Sequence, residues 1–256
     1  MSDELKAGKV VRIGKGVTLI LGDCLAHLPI EADAVVTDPP YGMDYDTDST
    51  RFTMNENGHG EASKRNCPPV HGDDKPFDPS PWLDYRAAVL FGCNHYAARL
   101  PVGTTLVWIK KTESCFGTFL SDAEVAWMKG GHGVYCKHDT SLLGETRNRY
   151  HPTQKPIALM AWCMERAKIP QGATVLDPYA GSGSTVIACL RTGRNCIAIE
   201  KDPTYFAVMV ERVKRELSQP FLPSCGTADT DKEGCQDDWL LPTNQKNETD
   251  EHGEPE

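Results

Sequence analysis

Short runs of apolar residues recur along the sequence and constrain the fold more than any other feature. They are rich in Val, Ile, Leu and Thr, and most end at an acidic residue or a glycine, which is typical of buried strands. The runs are residues 17–23, 32–38, 87–92, 104–110, 124–128, 173–178 and 195–200. Helical patterns lie between several of them, at residues 94–100, 157–168, 184–192 and 203–217. This alternation predicts an α/β fold with a mostly parallel sheet and helices on both faces, whose ligands bind at the carboxyl ends of the strands.

Two segments lack this pattern. Residues 46–81 are rich in Gly, Asn, Asp, Ser and Pro and predict a flexible insertion. Residues 219–256 contain ten acids and two lysines, and they predict a disordered acidic tail after a domain of residues 1–218. The tail holds −8 of the formal net charge of −9, which leaves −1 for the domain. The acidity of the whole chain therefore does not exclude a polyanionic partner.

The sequence also predicts the compartment. Its first residues carry charges where a signal peptide needs an apolar run, and no stretch approaches the roughly 18 apolar residues of a membrane span. We expect a cytoplasmic protein with no membrane partner. The ten cysteines are scattered without a CxxC pair, which favours reduced thiols. His132, Cys136 and His138 are irregularly spaced, so strand residues and a surface histidine are a better interpretation than a metal site, and no metal is expected.

One group of residues predicts a nucleoside pocket. In LDPYAGSGST, residues 176–185, a strand passes through a glycine-rich turn into an apolar helix. Gly181 and Gly183 allow a close backbone approach, and the helix start offers free amides. The next strand ends at Glu200, where nucleotide-binding α/β folds place the acid that binds ribose hydroxyls. An ordinary strand-to-helix turn is the alternative, since the third glycine of the dinucleotide fingerprint is missing.

Two further motifs carry polar groups at strand ends. In AVVTDPPYG, residues 34–42, the prolines hold Asp38 and the Pro39 carbonyl rigidly beside the Tyr41 ring. A carboxylate and a carbonyl can together accept both protons of an exocyclic amino group, and the ring can stack on the base that bears it. HPTQKP, residues 151–156, precedes a helix. Helix initiation explains Thr153 and Pro156 but leaves Gln154 and Lys155 unexplained.

These three motifs, in this order, resemble the β-class of amino DNA methyltransferases. The resemblance spans about residues 17–217 and implies a circularly permuted, Rossmann-like fold that uses S-adenosylmethionine and releases S-adenosylhomocysteine. It implies transfer of the methyl group to the amino group of a flipped base in DNA. The catalytic motif would be Asp38, Pro39, Pro40 and Tyr41. The implied cofactor-binding residues are Asp23, Asp38, Thr153, Gln154, Lys155, Asp177, Tyr179, Gly181, Gly183, Thr185 and Glu200.

The acid form of the motif, DPPY, usually accompanies adenine N6 in this family, and adenine is the favoured target. The alternatives are cytosine N4, an amino group in RNA, and a binding module without turnover. Hydrogen bonds to Asp38 and the Pro39 carbonyl would make the amino nitrogen pyramidal, so that its lone pair can displace the methyl group directly. A base inside a duplex cannot reach such a pocket, so base extrusion is also expected.

The region between the central strands and HPTQKP is short for target recognition. We expect a compact recognition region at about residues 129–150, in which Lys137, Arg147 and Arg149 contact the DNA backbone, although a solvated surface is nearly as good an explanation of the arginines. The insertion at 46–81 is expected to fold over the flipped base. A homodimer is one way to enlarge the recognition surface, and the sequence does not identify a restriction partner. Residues 91–96 are interpreted as pocket lining, and residues 107–111 as a core tryptophan followed by solvated lysines.

Overall fold

The apolar runs form one mixed sheet of eight strands in a computed structural model that describes residues 8–14, 16–43, 72–118, 121–140 and 154–218. All of these residues belong to the first of two units, which divide the chain after Gln219. The spatial order of the strands is β1-β2-β8-β7-β3-β4-β6-β5. The strands are β1 Val10–Ile13, β2 Val17–Leu21, β3 Ala34–Thr37, β4 Ala87–Phe91, β5 Gly103–Ile109, β6 Ala123–His138, β7 Thr174–Asp177 and β8 Asn195–Glu200.

The centre of the sheet is parallel, as the sequence predicts. Strands β2, β8, β7, β3 and β4 pair in parallel, whereas β1 is antiparallel to β2 and β6 is antiparallel to β4. All four residues of β3 are buried, because the strand has a parallel neighbour on each edge and is covered on both faces. The α/β class and the mostly parallel sheet are therefore confirmed.

Four helices lie among the described residues: α1 Ser80–Leu83, α2 Ile157–Arg166, α3 Ser184–Arg191 and α4 Pro203–Ser218. The three longer helices bury residues such as Leu159, Ile187 and Phe206 in one core cluster, on one face of the sheet. The other face is covered by α1 and short 3-10 turns, with Trp82 fully buried there. Among the residues that the structure describes, helices thus lie on both faces, but one face carries only a single turn of α-helix. No described helix is both long and apolar enough to span a membrane.

Two expectations about local structure are wrong. Residues 94–100 do not form a helix but two 3-10 turns, Cys93–His95 and Ala97–Arg99, separated by Tyr96 at φ −136°. The buried Tyr96 ring lies in the core, and its hydroxyl donates a hydrogen bond to the Phe91 carbonyl, which interrupts the helical path. Residues 46–81 do not remain irregular to their end, because α1 already begins at Ser80. Residues 44–71 lie outside the described part of the chain.

The strand expected at residues 124–128 is longer than its apolar run. Strand β6 passes along one edge of β5, turns at Gly130 and Gly131, and returns along the other edge, so that Thr105 pairs with both Trp127 and Val134. The Thr104 hydroxyl donates a hydrogen bond of 2.9 Å to the Gly130 carbonyl inside this turn. The second arm of β6 is the described part of the expected recognition region, whose residues 141–150 are not described.

We predict that Gly131→Ala destabilises the fold more than Gly130→Ala. Both glycines have positive φ, +68° and +80°, so each substitution costs about 1–2 kcal/mol of conformational strain. A Cβ at Gly131 would lie 2.5 Å from the Thr104 hydroxyl, whereas a Cβ at Gly130 meets nothing within 4 Å. Overpacking adds about 1–3 kcal/mol at Gly131 alone. Urea unfolding of the two variants measures the difference, and equal losses of stability would contradict this account of the turn.

Candidate active site

The ends of three parallel strands bring the sequence motifs together. Strands β3, β4 and β7 are neighbours, so Asp38, Gly92 and Asp177 follow or end strands at the same edge of the sheet. The Thr37 hydroxyl donates a hydrogen bond of 2.7 Å to Asp177 Oδ1 and joins the two motifs directly. The sequence-based prediction that polar residues cluster at the carboxyl ends agrees with this arrangement.

Asp38 has a partner on each carboxylate oxygen. The Tyr41 hydroxyl donates a hydrogen bond to Oδ1, and the Lys155 ammonium binds Oδ2. The side chain of Asp38 is only 16% exposed. Burial raises the pKa of this carboxyl above its usual value, while the charge of Lys155 opposes the rise. Burial and the neighbouring Asp38 charge likewise raise the pKa of Tyr41 well above its ordinary value, so that Tyr41 stays a hydrogen-bond donor.

The Tyr41 ring is held by its surroundings as well as by its own loop. It stacks on His95 with ring centroids 5.0 Å apart and planes 7° from parallel. It also lies against Gly92, where a Cβ would overlap the ring. In the same loop, Asp73 Oδ1 accepts a hydrogen bond of 2.8 Å from the Gly42 amide. The residue after the DPPY motif is therefore fixed by the described end of the insertion, and His95 supports the interpretation of residues 91–96 as pocket lining.

Two more charged side chains, Glu124 and Lys110, extend the ion pair between Lys155 and Asp38. The Lys155 ammonium lies 3.0 Å from Glu124 Oε2, and Lys110 lies 2.8 Å from Glu124 Oε1. Burial would raise the pKa of Glu124, but the two lysines outweigh it and lower the pKa to about 2. The expectation of solvated lysines after Trp108 is therefore wrong. Lys110 pairs with Glu124, and Lys111 pairs with Asp122 at 2.9 Å.

The glycine-rich turn is held by a carboxylate from the next strand. Glu200 Oε2 accepts a hydrogen bond of 2.7 Å from the Gly181 amide, and Oε1 accepts one of 2.7 Å from the Asp202 amide. Gly183 has φ +85°, and a Cβ there would lie 2.7 Å from Met209 on α4. The hydrogen bond from Gly181 needs a free backbone amide, and the positive φ and close contact at Gly183 require glycine. Glu200 thus lies at the loop, as the sequence predicts, and also shapes it.

Asp177 and Thr185 face the interior beneath this turn. The Asp177 carboxylate is buried and accepts hydrogen bonds from Thr37, from the Tyr179 amide at 3.2 Å and from the Thr185 side chain. Burial raises the pKa of Asp177 to about 6, against these hydrogen bonds. The two residues therefore fix the turn from below, while the Tyr179 ring packs edge-on against Phe77 and Trp82.

The remaining predicted cofactor residues lie at both ends of the same edge. Asp23 follows β2, which pairs with the end of β8, and its carboxylate binds Lys201 at 3.0 Å. The hydrogen bond from Lys201 lowers the pKa of Asp23. Gln154 is buried, and its Oε1 accepts a hydrogen bond of 3.3 Å from Ser182 in the glycine turn. Thr153 lies outside the described residues.

The predicted DNA-binding residues are only partly described. Lys137 pairs with Trp108 in the sheet register and is half-buried, on the second arm of β6. Arg147 and Arg149 lie outside the described residues. Within the described ranges, no three His, Cys, Asp or Glu side chains are grouped to hold a metal ion, and His132, Cys136 and His138 form no such group.

Two residues of the site were not identified from the sequence. Glu124 lies in an apolar run that predicts only a strand, and its partner Lys110 is interpreted as solvated. Arg212 on α4 donates a hydrogen bond of 2.8 Å to the Ser182 hydroxyl, beside Gln154. A glutamate at the start of an otherwise apolar strand is the only sequence signal for the first, and none marks the second.

Comparisons with known proteins agree with the motifs. Residues 107–211 match the family model N6_N4_Mtase, which describes a DNA methylase. A protein of Escherichia coli K12 that is named as a methylase, YubD, is 39% identical over 98 residues, which are 37% of this chain and 37% of that protein. The type II methyltransferase M2.DpnII of Streptococcus pneumoniae is 36% identical over 69 residues, 26% of this chain and 24% of its own length.

The matched parts span less than two fifths of either relative. Among solved structures, the complex of M1.HpyAVI with SAM has a TM-score of 0.49 at 19% identity, with 77% of this chain and 99% of that chain covered. The family match includes Lys155, the glycine turn and Glu200, whereas the DPPY motif precedes it. Residues 107–211 are thus similar to the N6_N4_Mtase family of DNA methylases, over about two fifths of the chain.

Proposed function

We propose that this protein transfers the methyl group of S-adenosylmethionine to the N6 amino group of adenine in a base flipped out of DNA. One observation carries the proposal: the Asp38 carboxylate and the glycine turn lie at the same sheet edge, joined by the hydrogen bond of 2.7 Å between Thr37 and Asp177. An acceptor for an amino group thus lies beside a turn suited to a nucleoside. The family match through residues 107–211 supports the same reaction class.

The residues of the cofactor site fit this ligand. Positive φ at Gly181 and Gly183 opens the turn to close backbone approach, and the start of α3 offers amides. We assign Asp23 to the adenine end, Glu200 to the ribose, and Thr153, Gln154 and Lys155 to the methionine end. Asp177, Tyr179 and Thr185 support the turn. The bound cofactor would supply an electrophilic methyl group on a sulfonium.

The catalytic motif would activate an aromatic amino nitrogen, which is a poor nucleophile. The lone pair of an aromatic amino nitrogen is delocalised into the ring, and hydrogen bonds from this group to Asp38 and to the Pro39 carbonyl favour a pyramidal nitrogen. The nitrogen lone pair would then take the methyl group as the bond between that methyl and the sulfonium sulfur breaks, and the surplus proton of the methylated nitrogen would pass to solvent. Pro40 keeps the loop rigid, and Tyr41 replaces stacking that the base loses on extrusion.

We predict that Asp38→Asn lowers kcat about 10²–10³-fold, the cost of losing one oriented polar group in a site of this kind. The amide keeps the shape of the side chain but loses the charge and one acceptor oxygen. Single-turnover transfer of labelled methyl to DNA measures the effect. The matched control is Asp84→Asn, at an exposed aspartate that follows α1, which should leave the rate unchanged. An unchanged rate in Asp38→Asn would contradict the assignment.

The target base can be identified directly. We expect nucleoside mass spectrometry of treated DNA to detect N6-methyladenine, since the motif carries aspartate rather than serine. N4-methylcytosine alone would instead indicate the cytosine enzyme. An excess of RNA competitor should not reduce methylation of DNA, and preferential methylation of the RNA would overturn DNA as the substrate. Cofactor binding with no transfer to any mixed-sequence nucleic acid would indicate a binding module.

We predict that replacing Arg147 and Arg149 by Ala reduces the salt dependence of DNA binding. Each lost phosphate contact lowers the slope of log K against log salt by about 0.9, so the double variant should lose nearly 2. Lys137→Ala should change the slope less, because Lys137 pairs with buried Trp108 and shares its face of the sheet. Lys214→Ala, on the exposed side of α4, is the control. A slope equal to wild type in the double variant would remove these arginines from the DNA interface.

A further inference from the structure

A chain of four alternating charges leads from the surface of the sheet to the acceptor carboxylate. Lys110 binds Glu124 at 2.8 Å, Glu124 binds Lys155 at 3.0 Å, and Lys155 binds Asp38. The side chains of Lys110 and Glu124 are 25% and 30% exposed, whereas those of Asp38 and Lys155 are 16% and 6% exposed. Lys155 also lies 5.3 Å from the centre of the Phe91 ring. The innermost ion pair is therefore shielded from water.

The members of this chain come from separate elements. Lys110 follows β5, Glu124 belongs to β6, Lys155 precedes α2 and Asp38 follows β3. The pairing of Trp108 with Glu124 in the sheet register brings the glutamate to the site. Although HPTQKP implies that Lys155 holds the methionine end of the cofactor, its ammonium contacts the catalytic aspartate.

We propose that Lys155 is a positioning residue that keeps Asp38 ionised and oriented as a hydrogen-bond acceptor, and that Glu124 holds Lys155 in place. This inference rests on the proposed function, in which Asp38 accepts a hydrogen bond from the amino group. Lys155 fixes the direction of Oδ2 and offsets the cost of burying the carboxylate. Glu124 holds Lys155 in place. Its negative charge also partly opposes the stabilisation of the Asp38 carboxylate by Lys155.

The proposed reaction needs the ionised form of Asp38, because a protonated carboxyl would donate a hydrogen bond to the amino group instead of accepting one. The protonation state of Asp38 depends on the balance of the charges around it. Four other ionisable groups act on Asp38: Tyr41 on its own loop, Lys155, Glu124 on β6 and, across the Thr37 contact, Asp177 on β7. Tyr96, beside β4, adds a neutral hydroxyl that donates to the Phe91 carbonyl. Among these groups Lys155 is the cation, so its removal leaves burial and two anions that all favour protonation.

The test uses two uncharged replacements with opposite expected effects on the titration of Asp38. In Lys155→Met the midpoint should rise by about 1–3 pH units, the usual influence of an opposite charge at contact distance. In Glu124→Gln it should fall, by about one unit or less, because one negative charge is lost and Lys155 pairs with Asp38 alone. Carbon-13 NMR of aspartate-labelled protein follows the midpoint, with Asp38→Asn to assign the resonance.

Turnover provides a second readout. The acid limb of the kcat profile should move to higher pH in Lys155→Met and to lower pH in Glu124→Gln, and Lys155→Arg should restore the wild-type limb. A lysine that only binds cofactor would raise KM for S-adenosylmethionine and leave the limb in place. A purely structural loss cannot move the limb in opposite directions in the two variants. Circular dichroism checks folding, and Glu124→Gln with Lys155→Arg suffices if Lys155→Met does not fold.

The exposed pair Lys214 and Glu211, 2.9 Å apart on α4, provides matched controls. Lys214→Met and Glu211→Gln make the same changes of charge and should leave both the Asp38 midpoint and kcat unchanged. Midpoints that move in the same direction in Lys155→Met and Glu124→Gln, or that do not move, would overturn the proposal. Because the NMR titration needs no turnover, this failure is distinct from a wild-type protein that methylates no DNA.

Discussion

The parallel pairing of β3 with β7 is the constraint on which the site depends. It aligns Ala34 with Val175 and Val35 with Leu176, so that both strands end at one edge although their sequences lie 140 residues apart at Thr37 and Asp177. Every residue of β3 is buried, and slipping the register by one residue would turn its side chains to the wrong faces. The apolar pattern of two short strands therefore fixes how the DPPY motif meets the glycine turn.

Carboxylates from elsewhere in the fold hold both functional loops. Glu200 binds the amides of Gly181 and Asp202, and Asp73 binds the amide of Gly42. Hydrogen bonds from amides to a charged carboxylate are stronger than those between neutral groups, so each acid can fix a loop that glycine would otherwise leave mobile. The glycines permit the shape of each loop, and the acids select it. An acid at a strand end can thus serve the architecture and a ligand together, since a carboxylate oxygen accepts more than one hydrogen bond.

The sequence predicts features that lie in contiguous residues, and it fails where two distant segments create the feature. The seven apolar runs and the three longer helices are found because burial marks them locally, whereas β1 is missed because an edge strand has no fully buried residue. The turn at Tyr96 is decided by a ring that packs in the core. Glu124 and Lys110 acquire their roles from the register of β5 and β6, which no local pattern encodes. The shapes of the DPPY motif and the glycine turn, by contrast, are set by prolines and glycines within the motifs, so they can be predicted from contiguous sequence.

The stack of Tyr41 on His95 would limit how a base could enter the site that we propose. With the rings 5.0 Å apart and nearly parallel, one face of Tyr41 is already covered, and a base needs about 3.5 Å on each side to lie between two rings. A base bound as we propose would therefore have to use the other face of Tyr41 or move His95 aside. His95 follows Gly92 in a 3-10 turn and is exposed, so its displacement would disturb little of the core, whereas Tyr41 is tied to Asp38 through its hydroxyl. His95 is therefore the side chain that can be displaced at little cost, whereas Tyr41 is held in place by its hydrogen bond to the Asp38 carboxylate.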